Sequence, residues 1–479
     1  MVDCAAESRA PALPVAREVA PLAEQFDVVV LGGGPAGYAT ALYGAAAGLN
    51  IALVEEDRVG GTCLHRGCIP AKELLQTAEV LRTIQRAPDF GIDAGHPTLD
   101  LHRSQARKHE IVDRLTKGLE TLLRGRSVTV VGGRGEVVDA AARRVRVGDT
   151  ELEGAHLVVA TGSSPRSLPG LAFDGVRILS SDHVLDLTDL PRRVAIIGGG
   201  VIGVEFASML VDMGSEVTIL EALPRILAPT DADVGNVVAR SFRKRGVSVH
   251  TSARVTGIEG TRELTITWES AQGEQSIVVD ALIVSVGRSP RSAGFGLEGV
   301  VDIDDRGYIR VDGQLRTNVP GVFAAGDVVD TPQLAHVAFA EAIVVVKTIL
   351  GEPVVPVDYE KVPWVVYCQP EVAWCGLTEE QARERGHDVA VSTHRFAGDA
   401  RAMIIGETDG LVKLVTDSGG LLLGAHLVGP WATELLGEGY LSVNWEANAA
   451  DLATLIHPHP TLSEVFGEAA LALTGRPLH

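Results

Sequence analysis

A unit made of a strand, a glycine-rich turn, a helix and a second strand occurs twice in this sequence. The first copy covers residues 27–55 and the second covers residues 193–221. In both copies the first glycine of the turn lies 23 residues before the glutamate that ends the unit. A glycine-rich turn in this context is typical of dinucleotide-binding α/β domains. The repeat therefore predicts two dinucleotide sites in one chain.

The glycines of each turn have separate physical roles. The first makes the tight turn, the second lets the backbone approach a pyrophosphate, and the third packs the helix against the strand. The phosphates then lie at the positive end of the helix dipole. The terminal glutamate accepts hydrogen bonds from a ribose and repels a 2′-phosphate. The candidate residues are Gly32, Gly34, Gly37 and Glu55 in the first copy, and Gly198, Gly200, Gly203 and Glu221 in the second.

Glu221 favours NAD over NADP at the second site, since a pocket for a 2′-phosphate usually has basic residues in place of the acid. Arg225 lies four residues further on and is a reservation on that preference. The sequence thus predicts that the second site binds NAD, and it assigns no role to Arg225.

Cys63 and Cys68 lie five residues apart, directly after the first unit, in the segment 60–72. In an ideal helix their Cα atoms would be roughly 8.6 Å apart, whereas a disulfide tolerates at most about 6.8 Å. A bridge therefore requires a distorted segment, and Gly67 and Pro70 permit a break at a helix start. The alternatives are a reducible redox disulfide and two free thiols in a buried turn. A zinc site is disfavoured because the other cysteines offer no second pair.

Two further segments read as buried strands that end in a turn, at residues 157–162 and 322–327. Asp327 ends the second of them. Either it only caps the turn, or it lies at the carboxyl end of a strand, where open α/β sheets bind their ligands.

Composition limits the remaining possibilities. The 479 residues predict two to four domains, and 53 glycines with 4% aromatic residues favour α/β domains over a β-sandwich. A net charge of −20 disfavours nucleic acid and anionic membranes as partners. Five cysteines are too few for a secreted disulfide scaffold, so a cytoplasmic location is expected. Residues 1–24 contain no apolar stretch of signal-peptide type and are predicted to be a disordered extension.

These motifs resemble those of the pyridine nucleotide-disulfide oxidoreductase family, and within it the dihydrolipoamide dehydrogenases of actinobacterial type. The resemblance extends from about Phe26 to His479 and includes the segment from His457 to Glu464. It implies an α/β fold with two Rossmann-like domains, which bind FAD and NAD, a central domain and a C-terminal α+β dimerisation domain. The expected boundaries are 1–24 for the extension, 25–162 for the FAD domain, 163–287 for the NAD domain, 288–356 for the central domain and 357–479 for the interface domain.

The resemblance also implies residue roles. Cys63 exchanges with the substrate, Cys68 contacts the flavin, and Lys72 lies near the flavin and pairs with Glu205. His459 is the acid-base group, oriented by Glu464, and reaches the disulfide of the other subunit. The remaining implied FAD residues are Thr62, Thr161, Gly162, Asp327 and Ala335, those for NAD include Glu205 and Gly287, and no metal is expected.

Three of these residues have structural alternatives. Glu205 is expected in the first turn of its helix, where the helix dipole favours any carboxylate. Thr461-x-x-Glu464 matches a capping box, in which the glutamate bonds back to the cap. His457 is interpreted as structural.

His65 and Arg66 depart from the commonest family pattern and are expected to place one or two cations near the disulfide, which would favour a thiolate.

The implied activity is oxidation of protein-bound dihydrolipoamide to lipoamide with reduction of NAD, through a redox-active disulfide and FAD. The implied partners are a second copy of the chain and a lipoyl-bearing acyltransferase or carrier of a 2-oxo acid dehydrogenase or glycine cleavage complex. The alternatives are another NAD(P)H-dependent disulfide reductase, of mycothiol or glutathione type, and a non-thiol NADH diaphorase.

Overall fold

The computed structural model of the chain describes residues 23–479. The predicted extension lies outside the described residues up to position 22. Its last residue, Glu24, is instead the first residue of a strand and pairs with Leu152, so the assignment of position 24 to the extension was wrong. No helix in the described part of the chain is long and apolar enough to cross a membrane.

The first part of the chain builds a seven-stranded sheet with helices around it. The strand order is β3-β2-β1-β6-β5-β4, and a seventh strand, β17 (Val322–Ala324), also pairs with β6. The strands β3, β2, β1, β6 and β17 run parallel, and β4 and β5 form an antiparallel extension. The elements are β1 (Glu24–Leu31), α1 (Pro35–Ala46), β2 (Ile51–Glu55), α2 (Gly61–Arg66), α3 (Cys68–Gln85), α4 (Leu101–Gly125), β3 (Thr129–Gly132), β4 (Gly135–Asp139), β5 (Arg144–Val147), β6 (Thr150–Val159) and β7 (Ser163–Pro165).

The second part builds a five-stranded parallel sheet of order β11-β10-β9-β15-β8 and a separate antiparallel sheet, β12-β13-β14. Its elements are β8 (Ile178–Leu179), α5 (Ser181–Leu185), β9 (Arg193–Ile197), α6 (Val201–Met213), β10 (Glu216–Leu220), α7 (Ala232–Lys244), β11 (Ser248–His250), β12 (Arg254–Glu259), β13 (Leu264–Ser270), β14 (Gly273–Val279) and β15 (Ala281–Val284). The predicted strand–turn–helix–strand order of both repeated units is confirmed.

A short third part returns to the first sheet. It consists of β16 (Arg288–Pro290), which pairs with β7, β17 (Val322–Ala324), which joins β6, and α8 (Ala335–Ile349). Because β17 is a strand of the first sheet, the turn that follows it opens on the same edge as the turn after β1.

The last part is an antiparallel sheet of order β18-β19-β22-β21-β20 with helices packed on it. Its elements are β18 (Trp364–Val366), β19 (Glu371–Gly376), α9 (Glu379–Glu384), β20 (Val389–Arg395), α10 (Ala400–Ile405), β21 (Leu411–Asp417), β22 (Leu422–Gly429), α11 (Ala432–Asn444), α12 (Ala449–Leu452) and α13 (Glu464–Leu473). The α/β class with a C-terminal α+β domain is therefore confirmed.

Burial explains the strand sequences. Val28, Val29 and Val30 of β1 are fully buried, as expected for a parallel strand covered on both faces. One apolar cluster joins α3, the second sheet and the start of the last domain, through Leu74, Ile196, Phe206 and Val366 among others. The three regions thus share a continuous core next to the two cysteines.

Candidate active site

The two glycine-rich turns have nearly the same geometry. Gly32 has a φ of +106° and Gly198 a φ of +107°, a region that favours glycine. A Cβ atom on Gly32 would lie 2.3 Å from the carbonyl oxygen of Ala160, and one on Gly198 would lie 2.5 Å from that of Ser285. Both turns therefore pass too close to the neighbouring strand for any side chain.

The second and third glycines divide their roles as the fingerprint predicts. A Cβ atom on Gly37 would lie 1.8 Å from the Gly32 oxygen, and one on Gly203 would lie 2.0 Å from the Gly198 oxygen. These two glycines pack helix on strand. A Cβ on Gly34 would come no nearer than 3.8 Å to another residue, and one on Gly200 would meet open space. The open side of each turn lines a cavity and fits a dinucleotide pyrophosphate.

The two terminal glutamates are also matched. The amide of Gly33 donates to Glu55 and the amide of Gly199 donates to Glu221, each at 2.6 Å. The second oxygen of each carboxylate accepts an amide two residues further along the chain. Both carboxylates keep free lone pairs toward their cavities, where ribose hydroxyls can donate.

Arg225 does not line the cavity of the second site. Its guanidinium donates to the Ala228 carbonyl and to Glu380, both at 3.2 Å. Glu221 does line that cavity, and a carboxylate there repels a 2′-phosphate, which favours NAD over NADP.

Two large cavities contain most of the predicted residues. The first is about 520 Å³ and the second about 810 Å³. The predicted residues that line the first cavity are Gly32, Gly34, Glu55, Thr62, Cys63, Cys68, Lys72, Thr161, Gly162, Glu205, Asp327 and Ala335. Those that line the second are Gly198, Gly200, Glu221 and Gly287. Glu205, expected with the NAD residues, lies in the first cavity.

The helix break between the cysteines is confirmed. Helix α2 ends at Arg66, Gly67 leaves helical geometry with φ −147° and ψ −115°, and α3 begins at Cys68 with Pro70 in its first turn. Both cysteines are free thiols in this structure, which is the reduced form of the pair. Together with the cavity they line, the two thiols form a dithiol centre.

The two thiols differ in acidity. A hydrogen bond from the Cys63 thiol lowers the pKa of Cys68 to about 7, and the Lys72 charge acts in the same direction. The same hydrogen bond, together with burial, raises the pKa of Cys63. Burial beside both cysteines raises the pKa of Tyr38 to about 12. The pair therefore carries its first negative charge on Cys68.

Lys72 is the cation of this centre. Its Nζ lies 2.8 and 3.0 Å from the two carboxylate oxygens of Glu205. The Glu205 side chain is 6% exposed, and that of Lys72 is 33% exposed. The expectation that Glu205 lies in the first turn of its helix was wrong, because α6 begins at Val201 and its first turn has no acidic residue. Glu205 faces the lysine one turn deeper.

His65 and Arg66 are bonded to groups other than the thiols, although Arg66 lines the same cavity as the two cysteines. The His65 ring bonds to the Val59 carbonyl at 2.9 Å, and Arg66 pairs with Asp57 at 3.0 Å. The cation that lowers the pKa of Cys68 is instead Lys72.

Asp327 follows β17 and accepts a hydrogen bond from the Ser163 hydroxyl at 2.6 Å. Arg288 donates to the same hydroxyl at 2.7 Å and lies 3.8 Å from the carboxylate. The hydroxyl of Thr161 donates to the Arg291 carbonyl at 2.6 Å. Asp327 is thus fixed at the edge of the first cavity by the segment that follows the second sheet.

His459 and Glu464 form a pair away from the thiols. Nδ1 of His459 lies 2.9 Å from Glu464, and the histidine side chain is 73% exposed. The other oxygen of Glu464 accepts the amide of Thr461 at 2.8 Å. Burial alone would raise the pKa of Glu464, but these hydrogen bonds lower it. His459 does not line the cavity of the cysteines.

The predicted capping box is only half formed. Helix α13 begins at Glu464, and its capping residue is Ser463 rather than Thr461. Glu464 still bonds back to the Thr461 amide, so one carboxylate fixes the chain before the helix and orients His459. His457 bonds to Glu438 at 3.0 Å and packs against Gly467, which agrees with its structural interpretation.

Several residues of the site were not found from the sequence. Ser163, Arg288 and Tyr367 line the first cavity and contact predicted residues. None lies in a glycine-rich or cysteine motif. Their positions depend on the pairing of β7 with β16 and on the packing of β18 near α6, which are long-range contacts.

The geometry defines a class of protein. The structure has two dinucleotide cradles, a dithiol in the cavity of the first cradle and a lysine–glutamate pair that lines the same cavity. These are the parts of an oxidoreductase that exchanges electrons between a thiol pair and two nucleotide cofactors.

Comparison with known proteins specifies the family. The model of pyridine nucleotide-disulphide oxidoreductases matches residues 26–342, and the model of the dimerisation domain of the same enzymes matches residues 362–470. The chain belongs to the pyridine nucleotide-disulphide oxidoreductase family. Its cofactors are FAD and NAD, and it carries the dimerisation domain of the family.

Similar curated proteins are named dihydrolipoyl dehydrogenase. One from Bacillus subtilis is 37% identical and covers 96% of this chain and all of that protein. Another from Chlorobaculum tepidum is 40% identical and covers 94% and 97%.

Among solved structures, LpdA from Mycobacterium tuberculosis superposes with a TM-score of 0.86 at 29% identity, covering 94% of this chain and 99% of that one. The flavoprotein disulfide reductase RclA from Escherichia coli, described as HOCl-induced, gives 0.82 at 30%, covering 93% and 99%.

Proposed function

We propose that this chain is a dihydrolipoamide dehydrogenase, which oxidises protein-bound dihydrolipoamide to lipoamide and reduces NAD. The observation that carries the proposal is the Cys63–Cys68 dithiol in a cavity shared with Lys72 and Glu205. The curated relatives that align over nearly the whole chain and are named for this activity support it.

The unequal acidity of the thiols sets the direction of disulfide exchange. When the pair is oxidised, a substrate thiolate attacks one sulfur and the other leaves as a thiolate. The leaving thiolate of lower pKa departs faster, and the Lys72 charge, which lowers the pKa of Cys68, is still present when Cys63 is held in a disulfide. We therefore assign Cys63 as the sulfur that forms the mixed disulfide. The second substrate thiol then attacks the substrate sulfur, which closes the lipoamide ring and releases Cys63.

A base must first remove the proton of the attacking thiol. Free thiols have a pKa of about 8.5 and are mostly protonated at pH 7. The residue proposed for this task is His459, because an imidazole can accept and return a proton near neutral pH. Because His459 is exposed and lies outside the cavity of its own chain, we assign the base to His459 of the partner subunit. Glu464 holds the ring and stabilises its protonated form.

The cofactors enter this scheme through the two cradles. FAD, when bound, supplies a two-electron carrier between the dithiol and NAD. The residues proposed to hold it are Gly34, Glu55, Thr161 and Asp327, and those proposed for NAD are Gly200, Glu221 and Gly287. Lys72 and Glu205 are proposed to act beside Cys68.

The proposed assembly is a homodimer formed through the family's dimerisation domain, in which each active site uses both chains. The proposed substrate carrier is a lipoyl-bearing acyltransferase or carrier protein of a 2-oxo acid dehydrogenase or glycine cleavage complex. The relatives are named dihydrolipoyl dehydrogenase, which supports a lipoyl group as the dithiol substrate.

Steady-state kinetics test the proposal. Purified enzyme is assayed with dihydrolipoamide and either NAD or NADP, and then with mycothiol or glutathione disulfide and NADH or NADPH. We expect turnover with dihydrolipoamide and NAD, and its loss in Cys63→Ser. Reduction of a dye by NADH serves as the control that both nucleotide sites remain intact. Preference for NADPH with another disulfide would contradict the proposal.

The second candidate is a reductase of another disulfide. The similarity to RclA, which is described as a disulfide reductase, favours it. The same kinetic comparison separates the two candidates. Such a reductase would transfer electrons from the nicotinamide nucleotide to a disulfide substrate other than lipoamide.

A further inference from the structure

Tyr367 contacts both members of the lysine–glutamate pair. It lies in the connection between β18 and β19. Its backbone amide donates to Oε1 of Glu205 at 2.9 Å, and Nζ of Lys72 lies 4.9 Å from the centre of its ring. This distance is within the range of a cation–π interaction. One residue of the dimerisation domain therefore fixes the carboxylate through its backbone and the ammonium through its side chain.

The ring lies where two cavities adjoin. Tyr367 and Lys72 line the cavity of the dithiol and also a neighbouring cavity of about 390 Å³. The neighbouring cavity is polar, with Arg82, Asp212 and Glu434 among its lining residues. The lysine and the ring therefore both border a space that water can enter.

The backbone around Tyr367 is held firmly. The amide of Gln369 donates to the Ser208 hydroxyl at 2.9 Å, and Arg245 donates to the Gln369 carbonyl at 2.7 Å. Glu205 and Ser208 are three residues apart on α6, so they lie on one face of that helix. The segment 367–369 is thus bonded along α6, and the position of the ring follows from that attachment.

We propose that Tyr367 is a positioning residue for the redox dithiol: its ring and its backbone amide hold the Lys72–Glu205 pair in a fixed position beside Cys68. The inference deepens the proposed function and rests on the dithiol being its redox centre.

The physical reason is the strength of the charge interaction between Lys72 and the Cys68 thiolate. The attraction weakens as the distance between two charges grows and as water comes between them, so a fixed arrangement at short range strengthens it. Removal of the ring takes away one of the contacts that fix the ammonium, so the ammonium becomes more mobile and the thiolate loses part of its stabilisation. The titratable and charged groups around the pair are Cys63, Glu205, Tyr38, Glu79, Arg82, Asp212, Arg245, Glu371, Glu407 and Glu434, with His459 of the partner subunit under the proposed function.

The test is the pH dependence of alkylation of the reduced holoenzyme by iodoacetamide, because thiolates react and thiols do not. Three variants are compared with the wild type. Tyr367→Leu removes the ring, Tyr367→Phe keeps the ring without its hydroxyl, and Tyr308→Leu removes a similar contact, 5.2 Å between Arg306 and Tyr308, elsewhere in the chain. Thermal melting and bound FAD are measured for each variant, so that a folding defect is recognised.

We expect the alkylation rate of Tyr367→Leu at pH 6 to fall by about threefold to tenfold, which corresponds to a rise of about half a unit to one unit in the titration midpoint. Tyr367→Phe and Tyr308→Leu should follow the wild-type curve. If Tyr367→Leu follows the wild-type curve, or if Tyr367→Phe shifts as far as Tyr367→Leu, the inference is wrong. If Tyr367→Leu does not fold, Tyr367→Met replaces it and is compared with Tyr367→Phe and Tyr367→Trp. The two variants that keep an aromatic ring should follow the wild-type curve, and Tyr367→Met should shift as expected for Tyr367→Leu.

The two proposals fail in different ways. Absence of dihydrolipoamide turnover in the wild type would overturn the proposed function without changing the thiol titration. An unchanged titration in Tyr367→Leu would overturn the role of Tyr367 while the wild type kept its turnover.

Discussion

Lys72 and Glu205 are 133 residues apart in sequence, and the lysine donates to both oxygens of the glutamate, at 2.8 and 3.0 Å. Lys72 lies on the helix that carries Cys68, and Glu205 lies on the helix of the second nucleotide unit. The pair therefore joins the two nucleotide-binding parts next to the dithiol.

Replacement of Lys72 by Met should destabilise the protein, because Glu205 is 6% exposed and would lose its cation. We expect a loss of about 2 kcal/mol in the free energy of unfolding, below the usual cost of a stranded buried charge, since Lys72 is partly exposed. The double variant Lys72→Met/Glu205→Gln should recover part of the loss, because the amide oxygen still accepts the Tyr367 amide. Denaturant unfolding measures both variants, and an equal loss in the double variant would contradict the account.

The hydrogen bond between the thiols predicts a pH effect. The Cys63 thiol lowers the pKa of Cys68 to about 7, so the thiolate forms above that pH in the folded, reduced enzyme. In Cys63→Ala the donor is lost, and the pKa of Cys68 should rise toward its ordinary value, which moves thiolate formation to higher pH. Cys63→Ser keeps a donor and should stay closer to the wild type. Alkylation rates between pH 5 and 9 measure this order, and a lower midpoint in Cys63→Ala would refute it.

The parts of the site that could be predicted from the sequence are those that short motifs encode. The turns at Gly32 and Gly198, the carboxylates of Glu55 and Glu221 and the break at Gly67 are local, because each depends on backbone space or on a few neighbouring residues. Motifs therefore also predicted the fold class.

The residues that could not be predicted depend on distant segments. Ser163 meets Asp327 and Arg288 only because β7 pairs with β16 and β17 joins β6. The placement of Glu205 in a first turn failed because the helix begins at Val201, one residue earlier than that placement requires. His65 and Arg66 were expected to place one or two cations near the disulfide. Arg66 does line the cavity of the thiols, but it pairs with Asp57, and the His65 ring bonds to the Val59 carbonyl.

The nucleotide preference should depend on Glu221 and not on Arg225. Glu221→Gln removes the negative charge that is proposed to accept hydrogen bonds from the ribose hydroxyls, and we expect about a tenfold or greater fall in kcat/KM for NAD. Arg225→Ala should leave the ratio of NAD to NADP rates unchanged, since Arg225 bonds to Ala228 and Glu380. Initial rates with both nucleotides test the two variants. A stronger preference for NAD over NADP in Arg225→Ala would show that the arginine reaches the ribose.

Turnover with dihydrolipoamide should fall by about 10²-fold or more in His459→Gln, which is the usual scale for loss of a general base. Dye reduction by NADH should survive.

Mixed dimers test where that base comes from. A dimer of one Cys63→Ser chain and one His459→Gln chain should have one intact site, because the intact cysteines would meet the intact histidine of the other chain. We expect about half of the wild-type activity from such dimers, on the reasoning that catalytic residues act as a unit. An inactive mixed dimer would place the histidine and the cysteines in the same chain.

The most direct test of the account is anaerobic titration of the oxidised holoenzyme with dihydrolipoamide, followed by absorbance. We expect a long-wavelength charge-transfer band that grows with the added dithiol and is absent in Cys68→Ser, because the Cys68 thiolate produces it. Simple bleaching of the flavin in the wild type, with no such band, would show that the dithiol takes no part in the reaction.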